Sequence, residues 1–338
     1  MPSYPADLRR SDSVTVVIPT FQRSDALQDA VRSVASQTLP NTRIHLIVVD
    51  NNPTPQERDL VRELSSEFAN GIVYLHEPVA GLSNARNAAM TMVETRYLAF
   101  LDDDMIASPV WLEALIGTSR RLGAGIVFGP NHARLPDPGD MRADYMRAFF
   151  SRRLDLPGEA FVEATHGAGG SLLDLSLCYL PSPAFDPKLN QRGGEDDILF
   201  DTLTRTGTLS AWSPEAVCEE VVPKERARLS YIVARSFGYG QGPVRISASR
   251  GVKGWPGILY YMMAGSAQLA LYTPLFAWNR LQNHPSSLHY ASRWTQALGK
   301  IFWGERFSRN LYGRRVAGNK TRTESAPSED DSAERLTA

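Results

Sequence analysis

The chain has 338 residues, 43% hydrophobic and 22% charged, proportions of an ordinary folded globular protein rather than a fibrous or low-complexity one. Its two cysteines, Cys178 and Cys218, form neither a metal-ligand spacing nor a disulfide framework, so both are expected to be buried thiols. The net charge of −1 conceals an asymmetry: residues 1–223 carry 19 Lys and Arg against 30 Asp and Glu, whereas residues 224–322 carry 16 against Glu225 and Glu305 alone. Such a basic segment implies an anionic partner, whether phospholipid headgroups, a phosphorylated substrate or nucleic acid.

In chain order, the β-branched run Val14–Ile18 predicts a first strand, ending in Pro19, Thr20, Phe21, Gln22 and Arg23. Ser24 is placed to cap a helix with Leu27, Ala30, Val31 and Val34 on one face. Ile44–Val49 predicts a second buried strand, closed by Asp50. A charged helix over roughly 55–68 and a short strand at Ile72–Leu75 follow. Another helix opens near Gly81 or Ser83, and Tyr97–Leu101 predicts a fourth strand. This alternation predicts a parallel sheet with crossover helices, which binds ligands beyond its C-terminal strand ends. Thr20, Arg23, Asp50 and Asp102–Asp104 all fall at that edge.

Asp102, Asp103 and Asp104 repel one another. Such a trio suits a hard divalent cation, Mg²⁺ or Mn²⁺, shared with a substrate phosphate. A solvated acidic turn before a helix near Pro109 is the alternative. Further on, Glu195, Asp196 and Asp197 follow Gly193-Gly194 and precede the apolar spacing of Ile198, Leu199 and Leu203. Acids there complement a helix dipole, and one of them can also serve a hydroxyl nucleophile as general base. The glycine-rich stretch His166–Ser171 can approach a ligand closely, or be a plain loop.

Five segments occur in order: Val16–Arg23, Val48–Asn51, Gly81–Asn87, Phe100–Asp104 and Gly193–Asp196. Together they resemble the family 2 glycosyltransferases of the GT-A fold, over roughly residues 13–225. Cys218–Arg226 and the basic segments behind it resemble, more narrowly, the glucosyltransferases of succinoglycan-type exopolysaccharide assembly. The resemblance implies inverting transfer of a hexose from a UDP-sugar to a glycan acceptor, with a divalent metal. It implies that Pro19, Thr20, Arg23 and Asp50 form the nucleoside pocket and that Arg86 meets the nucleotide. Asp102 and Asp103 would lie on the ribose and donor side, and Asp104, with Asp102, would hold the metal. Asp196 would be the catalytic base, with Glu195 orienting substrate. No histidine lies between Glu195 and Lys224 to complete a metal shell. Glu219 or Glu220 is a substitute candidate, and Lys224, Arg226 and Arg228 could hold the diphosphate.

Residues 256–278 contain no charge but are diluted by Ser266, Gln268, Thr273 and Pro274, and basic residues flank both ends. A surface-lying or re-entrant helix is expected rather than a span. A second segment, about 288–311, mixes Trp and Phe with Arg and Lys. The expected organisation is an N-terminal tail (1–12), an α/β GT-A catalytic domain with a mostly parallel sheet (13–225), a basic helical membrane-associating region (226–320) and a disordered acidic tail (321–338). An anionic membrane surface, on the cytoplasmic face of the inner membrane, is the expected partner of the basic region, with peripheral or monotopic attachment. A lipid-linked oligosaccharide is the expected acceptor, and no nucleic acid partner is expected. A sugar nucleotidyltransferase would need a glycine-rich basic loop after the first strand, where this sequence has Pro19, Thr20, Phe21 and Gln22, and a non-catalytic assembly protein would not need Asp104 and Asp196.

Overall fold

In a computed structural model of the chain, the described residues are 13–307 without 41–42, 140–141, 164–165, 191–192, 283 and 285, together with the backbone of 333–336. The chain divides into two compact units. One comprises Met1–His132, Ser151–Val221 and Tyr312–Ala338, the other Ala133–Phe150 and Val222–Leu311. The division expected at residue 225 therefore changes: an internal segment groups with the C-terminal helices. The reason is apolar. Met146 and Phe150, from the helix α5 (Ala143–Phe150), form a separate buried cluster with Val222, Ile232 and Leu288.

The first unit is built on β1 (Val14–Thr20), β2 (Ile44–Asp50), β3 (Ile72–His76) and β4 (Tyr97–Phe100). These pair in parallel in the order β3-β2-β1-β4. Their near-continuous apolar runs are buried on both faces, as a parallel sheet covered by helices requires. Helices α1 (Ser24–Ala35), α2 (Arg58–Leu64) and α3 (Leu82–Met90) make the crossovers. The sheet continues through β9 (Ser171–Asp174), antiparallel to β4 and to β6 (Ile126–Phe128), then β10 (Ser210–Trp212) and β8 (Ala160–Phe161). Side chains such as Val16, Ile18, Leu46 and Val48 are fully inaccessible or nearly so. Each contributes about 1.5–3 kcal/mol by leaving water.

Register fixes the ligand edge. Thr20 stands beside Asp50, and Val17 beside Phe100, two residues before the aspartate trio. The trio does not run into a helix. Asp102 and Met105 close a turn, and β5 (Met105–Ala107) follows, pairing antiparallel with β11 (Cys218–Val221) before α4 (Trp111–Leu122) starts. Ser24 is the first residue of α1, not its cap; its hydroxyl donates to Glu57 instead. The helix expected over 55–68 is shorter, with a 3₁₀ turn at Ser65–Glu67.

In the second unit, α7 (Leu229–Ser249) and α9 (Ser287–Ile301) lie backbone to backbone. A Cβ on Gly240 would fall 2.0 Å from the Gln296 carbonyl oxygen, and one on Gly299 2.2 Å from that of Phe237. The hydroxyls of Ser236 and Ser292 meet at 2.7 Å. The uncharged segment forms α8 (Trp255–Leu281). No helix among the described residues is long and apolar enough to cross a membrane. Residues 308–311 of the second expected segment lie outside the described residues, as do 1–12, 321–332 and 337–338. Contrary to the expected disordered tail, Ala333–Leu336 form a strand, β12, antiparallel to β3. It pairs with an edge that otherwise leaves main-chain donors and acceptors open.

Candidate active site

The sequence-predicted residues gather into two linked groups within the first unit. The first is centred on Arg23. Its Nη1 donates to Asp103 Oδ1 at 2.7 Å and to Asp104 Oδ2 at 2.8 Å, and Thr20 Oγ1 donates to Asp103 Oδ2 at 3.0 Å. Arg23 can reach both because the preceding Gln22 sits in the left-handed region (φ 56°), with its N–H on Asn52 Oδ1. A non-glycine residue there is strained, and such strain clusters at functional sites. Asp103 and Asp104 are 5% and 6% exposed. Burial, with the charges of Asp104 and Asp102, pushes the Asp103 carboxyl up to about 6 although Arg23 pulls it down. Burial works against the charge of Arg23, but Asp103 and Asp104 together hold it well above its ordinary range.

The second group is centred on Arg86. This guanidinium is 1% exposed and lies near the rings of Phe100 and Phe185, 5.6 and 5.3 Å from their centroids. It donates from Nη1 to Glu195 Oε1 at 2.8 Å and from Nη2 to Asp102 Oδ1 at 3.2 Å. Both of its terminal nitrogens are thus engaged within the protein. It holds the aspartate trio to the start of α6 (Glu195–Arg205) from inside the core. Burial and the adjacent Asp196 raise the Glu195 carboxyl to about 7, against the lowering pull of Arg86. Asp102 is the open member of the trio, with 38% of its side chain exposed.

Asp196 lies at the N-terminal end of α6. Its Oδ2 accepts the Ala168 N–H at 2.9 Å and its Oδ1 the Asp197 N–H at 2.9 Å. Two hydrogen bonds leave a carboxylate with acceptor capacity to spare. The glycine-rich stretch is thus more than a plain loop, because its backbone touches both Asp102 and Asp196. A Cβ on Gly169 would strike Asp102 Oδ2 at 2.4 Å, and one on Gly167 would touch Asp196 Oδ2 at 3.4 Å.

Arg152 fixes that loop, and sequence reasoning missed it. It donates from Nε to the Gly129 carbonyl and from Nη1 and Nη2 to those of Gly167 and Gly169, at 2.8, 2.8 and 2.9 Å. Burial lowers its basicity, while nearby charges including Asp102, Glu220 and Asp196 oppose that effect. Nothing in the sequence around Ser151–Arg153 marks it, since its partners are main-chain carbonyls.

Two residues of the expected nucleoside pocket have other duties. Asp50 is fully buried, and its carboxylate accepts from Asn52 N, Asn52 Nδ2, Glu57 N and the Tyr74 hydroxyl. Four bonds converge on its carboxylate, which holds the turn after β2. Pro19 is buried within β1 opposite Val49. Glu220 accepts from Asn131 Nδ2 at 2.8 Å, while Lys224, Arg226 and Arg228 belong to the second unit.

No group of three or more His, Cys, Asp or Glu side chains among the described residues is arranged as a metal cage. Asp102 and Asp104 are nonetheless hard oxygen donors at the mouth of the sheet. Mg²⁺-type ions are commonly held by one or two carboxylates plus substrate phosphates and water. The donor set fits such an ion.

Fold and site together define a glycosyltransferase of the GT-A class, which works on nucleotide sugars. Residues 15–172 match the family model described as glycosyl transferase family 2. The chain is 34% identical over 241 residues, 70% of its own length and 76% of the relative's, to the succinoglycan biosynthesis protein ExoM of Rhizobium meliloti (strain 1021). The chain belongs to glycosyl transferase family 2, which sets aside the nucleotidyltransferase and non-catalytic alternatives. It is also 22% identical over 239 residues, 67% of the chain and 75% of the relative, to a glucosyl-dolichyl phosphate glucuronosyltransferase of Haloferax volcanii. Its fold matches the mannosyltransferase PcManGT from Pyrobaculum calidifontis, solved with GDP-Man and Mn²⁺. The TM-score is 0.56 at 17% identity, covering 86% of this chain and 87% of that one.

Proposed function

We propose that the chain transfers a hexose, glucose, from a UDP-sugar to a hydroxyl of a glycan carried on polyprenyl diphosphate, with inversion, in exopolysaccharide synthesis. The reaction takes place at the cytoplasmic face of the inner membrane. The observation that carries this reading is the pairing of Asp196 with Asp102 across Gly167–Gly169. We assign Asp196 to the acceptor and Asp102 to the donor, the glycine loop being in contact with both carboxylates. The succinoglycan role of one relative supports the polysaccharide product, and the lipid-phosphate substrate in the name of another supports the acceptor class.

Asp196 takes the acceptor hydroxyl proton as that oxygen bonds to the anomeric carbon and the bond to the diphosphate breaks. The N–H groups of Ala168 and Asp197 keep its carboxylate oriented. Arg86 keeps Glu195 and Asp102 in register, so that donor and base approach from fixed directions. Asp102 and Asp104 would hold Mn²⁺ or Mg²⁺, which neutralises the departing nucleoside diphosphate. Arg23 offers a further cation there.

The test is a screen of nucleotide sugars with Mn²⁺ or Mg²⁺, reading nucleoside diphosphate release with and without a polyprenyl-diphosphate glycan. UDP-glucose should give release that rises when the lipid-linked acceptor is added. Equal transfer to a free sugar would remove the lipid-linked acceptor, and release from another donor alone would replace glucose.

A further inference from the structure

Helix α8 has 27 residues and a length of about 40 Å. One side of it packs on α9. Trp294 Nε1 donates to Thr273 Oγ1 at 3.0 Å, Lys300 Nζ to Gln268 Oε1 at 2.8 Å, and the rings of Phe276 and Trp294 stack at 6.2 Å. Gly265 lets the α9 backbone approach there. The other side is bare. Trp255, Leu259, Met263, Leu271, Trp278 and Leu281 are 57–81% exposed. Their spacing puts them on one face at 3.6 residues per turn. The side chains between Pro256 and Trp278 include no charge, while Lys253 and Arg280, both exposed, stand just outside the two ends.

A contiguous apolar face of this length marks an interaction surface. Its chemistry selects the occupant. A second copy laid along it would bring Lys253 against Arg280 or against itself, cation on cation, with no acid on the helix to answer them. Anionic headgroups answer both ends at once, and Trp255 and Trp278 beside those cations suit the headgroup level. The face lies along the helix rather than around it, because the opposite side is taken by α9.

We propose that this face of α8 docks the enzyme in the plane of an anionic bilayer, its apolar residues in the acyl boundary and Lys253 and Arg280 at lipid phosphates. The proposal rests on the membrane setting of the function above and names the surface that provides it.

The test uses the full chain and vesicles of phosphatidylcholine, with or without about a third phosphatidylglycerol. The chain should float with the anionic vesicles, more weakly at high salt, with a blue shift in tryptophan emission. The double variant L259E/M263E should partition at least about tenfold more weakly, with unchanged far-UV circular dichroism and unchanged UDP-glucose turnover in lipid-free buffer. K253E/R280E should lose the preference for anionic vesicles. Flotation of L259E/M263E equal to the parent, or no flotation of the parent, would overturn the proposal. A dimer in solution that L259E/M263E dissolves would assign the face to a second copy and overturn it too. Turnover is read separately, so a failed surface and a failed glycosyltransferase assignment give different results.

Discussion

Arg86 and Glu195, 109 positions apart, are joined by a 2.8 Å hydrogen bond between side chains 2% and 4% exposed. The same guanidinium holds Asp102. Glu195 on α6 and Asp102 after β4 are thereby tied together through the core.

Removing that tie leaves two carboxylates without their counter-charge, one of them buried. R86M should lower the unfolding free energy by about 3–5 kcal/mol, the cost of stranding a buried charge. R86M/E195Q should recover part of the loss, because the stranded charge is then gone. Urea unfolding of the two variants decides this; equal losses would show that the pair is not coupled.

The acidic groups should separate by function. D196N should keep UDP-sugar binding and lose transfer by about 10²–10⁴-fold. D104A should lose the Mn²⁺-dependent part of UDP-sugar binding. Calorimetric titration with and without Mn²⁺, beside a transfer assay, distinguishes them, and normal transfer by D196N would end its assignment as base.

The glycine loop is tested by one methyl group. In G169A the added Cβ must displace Asp102 Oδ2, 2.4 Å away, whereas in G158A it meets nothing within 4 Å. G169A should cut transfer at least about tenfold through misplacement of the carboxylate, and G158A should leave it unchanged. If both variants keep full activity, the loop does not set the position of Asp102.

Asp50 should prove structural. Four donors converge on its buried carboxylate, and D50N replaces an acceptor oxygen with a donor that faces them. A loss of about 2–4 kcal/mol in unfolding free energy is expected from the unsatisfied groups. A D50N variant of parental stability but weakened uridine nucleotide binding would return Asp50 to the pocket.

His166 packs against Phe128 and Trp212. Burial and the neighbouring Arg152 hold its imidazole down to about 4, against about 6.5 in an unfolded chain. Between those values the unfolded chain binds the proton more readily. The contribution to stability is therefore complete above pH 6.5 and lost as pH falls towards 4. H166F should melt with less dependence on pH between 6.5 and 4.5 than the parent. Identical slopes in melting temperature would contradict this.

By itself the sequence determined the strand ends and what stands on them. Val14–Ile18, Ile44–Val49 and Tyr97–Leu101 are apolar runs interrupted only by Thr15 and His45, and such near-continuous runs mark buried parallel strands. The acids that follow them, with Glu195 and Asp196 after two glycines, were legible because polar residues interrupt a local period. Only the tertiary structure decided which of these side chains are already engaged within the protein. Arg86 and Arg152 carry polar groups whose partners come from distant segments or from main-chain carbonyls, and burial spends those groups internally. The same holds for Ala133–Phe150, whose apolar residues find their neighbours in Val222, Ile232 and Leu288, far along the chain. Local pattern reports what a residue can do; long-range packing determines whether its capacity is already used.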